Sequence, residues 1–177
     1  MSADVLDIPA AEGFPWRSAV RGPQGTAKLG GRLAALLHGG EIVLLHGALG
    51  AGKTCFAQGL CRGLGVVGEV VSPTFTLINT YRGRLAVHHL DFYRVQAGAD
   101  LQDIGVPEVL DQVERKVAVA VVEWPRVLLA ELAGLPYTEW LACPGPGPDD
   151  RIWRLRGVPD LPDGWADLAE PATQDGA

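Results

Sequence analysis

Apolar residues follow two rhythms along this chain. Leu29, Leu33, Leu36 and Leu37 recur at helical spacing. They predict an amphipathic helix from Thr26, read as its N-cap, to about Leu37, ended by Gly39-Gly40. Glu41 to His46 and Val117 to Val122 are instead continuously apolar through their middles, the pattern of strands buried on both faces. Around these the pattern predicts a first strand from Phe14 to Val20, then a break at Gly22-Pro23. A helix from Lys53 to Leu64 follows, then strands from Phe75 to Tyr81 and from Leu85 to Leu90. Leu101 to about Leu110 reads as a short helix broken at Pro107. Trp140 to Cys143 and Ile152 to Arg156 read as a strand pair across the Pro-Gly turn at 144–148. This β–loop–α order gives an α/β single domain. Its sheet is expected to be mixed and largely parallel, flanked by helices, with a C-terminal antiparallel hairpin.

The chain ends read differently from its middle. Residues 1–13 are small, acidic and without apolar period, which predicts a flexible arm before a domain at 14–156. From Gly157 the chain is rich in Pro, Gly and Asp, which predicts an acidic, disordered tail over 157–177. No Lys or Arg follows Arg156, whereas Asp160, Asp163, Asp167, Glu170 and Asp175 do; removing these five acids from the net charge of −6 leaves the remainder at −1. A near-neutral body is not a nucleic-acid binder by bulk electrostatics, so no DNA is expected, and any RNA would arrive with a partner. No apolar run approaches a membrane span and no basic segment opens the chain, so a cytoplasmic protein is the default. Cys55, Cys61 and Cys143 are too scattered for a disulfide framework, and no zinc spacing occurs.

Between the buried strand ending at His46 and the helix from Lys53 stands Gly47-Ala48-Leu49-Gly50-Ala51-Gly52-Lys53-Thr54. It fits G-x-x-x-x-G-K-[ST] throughout. An ordinary turn needs one or two glycines, not three followed by Lys-Thr. The glycines let successive backbone N–H groups turn inward toward phosphate oxygens, and the helix start adds its positive end. Lys53 is expected to reach the β- and γ-phosphates, and the Thr54 hydroxyl to take one Mg²⁺ position. The expected fold is therefore a P-loop NTPase and the expected ligand a purine nucleoside triphosphate, ATP with Mg²⁺.

Asp91 and Glu123 each end a predicted strand, on the side of the sheet where the loop lies. Either could hold the metal while the other positions water, and spacing does not decide between them. His88 and His89 precede Asp91; strand alternation puts His89 on its face, but a structural role is favoured for both because no second histidine has metal spacing. Trp124-Pro125 makes a rigid aromatic corner, either core edge or contact surface. Ser72-Pro73-Thr74 reads as a turn whose hydroxyls could sense a γ-phosphate.

Four segments occur in order: Leu49 to Thr54, Ser72-Pro73-Thr74-Phe75-Thr76-Leu77, His89-Leu90-Asp91-Phe92-Tyr93-Arg94, and Val122-Glu123-Trp124-Pro125. Together they resemble the TsaE (YjeE) family over about Phe14 to Arg156. The resemblance implies a P-loop ATPase, weak by itself, that supports TsaD and TsaB as they form threonylcarbamoyladenosine in tRNA. It implies phosphate and Mg²⁺ contacts at Lys53 and Thr54, and an essential acid at Asp91 acting on the attacking water or metal shell. It further implies a Mg²⁺-linked acid at Glu123, a matching Trp124, and a switch-like segment holding Thr74. Tyr93 and Arg94 fall in the third of these segments, and Thr26 and Arg151 would lie near the base. The family loop usually reads Gly-Asp-Leu-Gly-Ala-Gly-Lys-Thr; Ala48 stands at the Asp position, which none of the direct phosphate or Mg²⁺ roles needs.

Two other readings compete. A small-molecule kinase would need an acceptor pocket and an Arg-rich lid, yet Arg62, Arg82, Arg84 and Arg94 are scattered. A nucleotide-controlled binding module would use ATP to order a docking surface.

Overall fold

The computed structural model describes residues 8–172. The chain folds as a P-loop NTPase with one eight-stranded sheet between helices. The strands are β1 (Trp16–Arg21), β2 (Ile42–His46), β3 (Ile78–Arg82), β4 (Ala86–Asp91), β5 (Ala118–Glu123), β6 (Tyr137–Pro144), β7 (Asp150–Val158) and β8 (Glu170–Pro171). Their order is β3-β4-β5-β2-β6-β7-β1-β8. β4, β5, β2 and β6 pair in parallel and the margins pair antiparallel, so the sheet is mixed, with a parallel centre.

The helices are α1 (Gly22–Ala34), α2 (Lys53–Gly63) and α3 (Val106–Glu114). Alternation along β2 explains the layers. Val43 and Leu45 face α1 and α2 with Leu33, Phe56 and Leu60. Ile42 and Leu44 face α3 with Val109 and Val113. α1 and α2 approach closely through glycine: a Cβ on Gly30 would lie 2.2 Å from the Phe56 carbonyl oxygen, and one on Gly59 1.9 Å from that of Ala27. This contact seats Thr26 against Gly52 at the loop before α2.

Several boundaries differ from the sequence reading, for physical reasons. α1 starts at Gly22, so Thr26 is a buried interior residue and not the N-cap. α3 starts at Val106, so Pro107 opens it and does not break a helix from Leu101. In both helices a proline sits in the first turn, where its missing N–H has no partner to lose. β3 begins at Ile78, not Phe75, because Leu77 has a φ of 64° and its N–H closes a turn onto the Pro73 carbonyl.

The tail also needs correction. Residues 1–7 and 173–177 lie outside the described residues, but 157–172 pack onto the domain and are not a disordered tail. A 3₁₀ turn at Trp165–Leu168 buries Trp165 and Leu168 in the α1/α2-side core, with the Trp165 ring 6.4 Å from that of Trp140. β8 pairs with β1, and Arg32 donates to the Asp167 carbonyl at 2.9 Å. Two apolar anchors outweigh a composition that otherwise reads as loose. Trp165→Ala is expected to destabilise the domain by roughly 3–5 kcal/mol, measured as a fall in the denaturant midpoint.

Candidate functional site

The loop between β2 and α2 owes its path to glycines with positive φ: 137° at Gly47, 76° at Gly50 and 105° at Gly52. Gly52 caps α2 without any side-chain hydrogen bond, so the first-turn N–H groups of α2 face the loop's hollow. Lys53 is buried and folds back over this hollow, donating to the Gly47 and Ala48 carbonyls at 2.8 and 2.9 Å. Its ammonium stands 3.9 Å above the Trp124 ring. Position 48 thus works through its backbone, which alanine supplies as well as aspartate. Burial lowers the Lys53 pKa from 10.5 to about 8, and the charges of Glu123 and Asp91 restrain the fall.

The two strand-end acids are register partners across the parallel β4–β5 ladder, and both are buried. They face different groups. The Thr54 hydroxyl donates to Glu123 Oε1 and Oε2 at 2.9 and 3.1 Å. Asp91 Oδ2 accepts from Ser72 Oγ at 2.7 Å and Thr74 Oγ1 at 2.8 Å, while Oδ1 accepts the Tyr93 N–H at 2.9 Å. A hydroxyl and a carboxylate already in contact are the hard oxygen donors that Mg²⁺ takes. Among the described residues no group of three or more His, Cys, Asp and Glu could cage a metal. Phosphate oxygens and water would complete the shell, as is usual for Mg²⁺.

Lys53, Thr54, Asp91, Glu123, Thr74, Tyr93, Arg94 and Trp124 all line one cleft of about 590 Å³. Trp124 adopts a left-handed backbone, with φ 56° and ψ 56°. Its N–H donates to the Leu45 carbonyl at 3.2 Å, and its ring meets Tyr93 at 5.0 Å. At the rim the Arg94 guanidinium lies 4.5 Å from the Phe75 ring, and Phe75 and Leu49 are 82% and 74% exposed. Thr26 and Arg151 meet on the other side of the loop, in a cavity of about 150 Å³ with Gly50, Ala51 and Gly52. The Arg151 guanidinium donates to the Pro148 and Asp150 carbonyls.

Sequence reasoning missed Ser72 as an Asp91 partner, and Cys55 and Asp149 in the smaller cavity. It also missed a buried cluster behind the loop. His46 Nε2 lies 2.9 Å from Glu139 Oε1, and Arg156 pairs with the other carboxylate oxygen. Burial pushes the Glu139 carboxyl up, but the hydrogen bonds from His46 and Arg156 outweigh it and leave the pKa below its ordinary value. The available signal was a lone acid inside an apolar strand. His88, by contrast, bonds Thr80 at 2.9 Å and Gln112 at 3.1 Å, a structural arrangement.

Comparison with known proteins converges on one family. The sequence profile of the threonylcarbamoyl adenosine biosynthesis protein TsaE matches residues 20–141. A tRNA threonylcarbamoyladenosine biosynthesis protein TsaE of Treponema pallidum is 44% identical over 116 residues, which is 66% of this chain and 83% of that protein. The Bacillus subtilis protein of the same name is 36% identical over 118 residues, 66% of this chain and 70% of that one. A crystal structure of Bacillus subtilis YdiB superposes with a TM-score of 0.64 at 27% identity, covering 86% of this chain and 89% of that one.

Proposed function

The chain belongs to the TsaE family, and from that premise we propose that it binds and hydrolyses Mg²⁺-ATP as a partner of TsaD and TsaB in forming threonylcarbamoyladenosine in tRNA. The contact between Thr54 and Glu123 carries this reading. It sets a hydroxyl and a carboxylate together beside a phosphate-binding loop that ends in Gly-Lys-Thr, where a Mg²⁺ shell needs them.

The loop N–H groups and Lys53 bind the phosphates, and Thr54 with Glu123 holds Mg²⁺. Bound there, Mg²⁺ neutralises phosphate charge. Asp91, gripped by Ser72 and Thr74, positions the attacking water and couples that loop to the γ-phosphate. Thr26 and Arg151 border the base. Tyr93, Arg94 and Trp124, with exposed Phe75 and Leu49, form the rim that partners or switch motions use. No helix among the described residues is long and apolar enough to cross a membrane, and a cytoplasmic site of action follows from tRNA as the complex's substrate.

The rim also supports the binding-module reading, since Asp91 ties the Ser72–Thr74 segment to the nucleotide cleft. The kinase reading fares worse. A second cavity of about 550 Å³ lies across the Tyr93–Trp124 pair; among the described residues no Asp or Glu lines it to take an acceptor's proton, and its His46 is engaged by Glu139. ATP turnover with and without TsaD and TsaB separates the first two. Strong stimulation is the result expected of an ATPase; unchanged turnover with ATP-dependent association would make the chain a switch.

The Lys53 pKa gives a pH signature. A triphosphate binds the ammonium form, and the free protein loses that form above about 8. ATP affinity by calorimetry is therefore expected to be level just below pH 8 and to fall by up to about tenfold per pH unit above it. Lys53→Arg, charged throughout, should bind more weakly but lose that fall.

A further inference from the structure

Resting on the ATPase reading, we infer that His89 is a positioning residue that holds Glu123 in its orientation for the metal. His89 lies on β4 two residues before Asp91, and is fully buried. Its Nε2 is 2.9 Å from Glu123 Oε1, and its Nδ1 is buried with no hydrogen-bond partner among the described residues. A carboxylate only accepts, so Nε2 carries a proton and donates it to Glu123 Oε1.

That arrangement is costly as packing. A buried nitrogen without a partner is a penalty that a leucine in the same place would avoid. What the imidazole supplies, and a leucine cannot, is the N–H aimed at Glu123. The same Oε1 also accepts from Thr54 at 2.9 Å, so the carboxylate is gripped from α2 and from β4 at once. Among the described residues these are the side chains bonded to Glu123. Once the Thr54 oxygen is committed to a cation, the His89 bond is the one that keeps Glu123 in place. Sequence spacing aligned His89 with Asp91; the structure joins it instead to the acid on the neighbouring strand.

The test is the Mg²⁺ dependence of binding of a fluorescent, non-hydrolysable ATP analogue to the full chain. His89→Leu is expected to raise the Mg²⁺ concentration at half-maximal binding by roughly 10–100-fold, while binding without metal stays as in the wild type. His89→Gln, which restores an N–H donor, should return the value near wild type. If His89→Leu leaves the Mg²⁺ dependence unchanged, or weakens metal-free binding equally, the inference is overturned and His89 is core. If the wild type shows no Mg²⁺-dependent binding at all, the ATPase reading falls and takes the inference with it. Should His89→Leu not fold, ¹⁵N spectra of the wild-type histidines decide. An Nε2-protonated His89 whose signal shifts on adding Mg²⁺ with the analogue supports the role; a ring protonated on Nδ1 alone, or an unmoved signal, overturns it.

Discussion

Lys53→Ala is expected to abolish measurable ATP binding while leaving a folded domain. The ammonium stands over the loop's hollow, buried against two backbone carbonyls and the Trp124 face. Removing one partner of a buried charge pair costs about 2–5 kcal/mol, or roughly 30-fold to several thousand-fold in affinity. The fold should tolerate the change, because a buried ammonium held at a lowered pKa is itself a cost and alanine favours the helix. Calorimetry with circular dichroism as a control measures both. Retained micromolar affinity in the variant would remove Lys53, and with it the phosphate role of the loop.

Asp91→Asn is expected to do the reverse, sparing binding and stopping hydrolysis. Asp91 touches neither Lys53 nor Thr54 through a hydrogen bond; its partners are Ser72, Thr74 and the Tyr93 N–H. An amide of the same shape keeps one acceptor oxygen but cannot carry the charge that orients or deprotonates a water. Loss of a positioned acid–base group typically costs about 10²–10⁴-fold in rate. Single-turnover hydrolysis beside equilibrium binding separates the two effects. Normal hydrolysis by the variant would leave Asp91 as only a clasp for the Ser72–Thr74 segment.

The phosphate loop was fully legible in the sequence because its chemistry is contiguous: glycines, lysine and threonine act within eight positions on one strand–helix junction. The strand-end acids were legible as a pair, since parallel strands deliver their C-terminal residues to one edge. Which acid faces Thr54 was not. That depends on the β4–β5 register and on where the Ser72–Thr74 segment folds, and both are long-range. Gly22-Pro23 and Pro107 misled for one shared reason, that a proline opening a helix looks in sequence like a proline ending one. Trp165 and Leu168 were hidden by their Gly-, Pro- and Asp-rich surroundings, in which two anchors suffice to dock the segment. The His46–Glu139–Arg156 cluster joins three strands and had no local pattern to reveal it.

The proposed link is that ATP hydrolysis in this cleft serves tRNA modification by TsaD and TsaB. It is tested most directly by counting threonylcarbamoyladenosine formed per TsaD in a reconstituted reaction, with the wild-type chain, with Lys53→Ala, and with none. Repeated turnover with the wild type alone is the predicted result; equal product in all three reactions would contradict it.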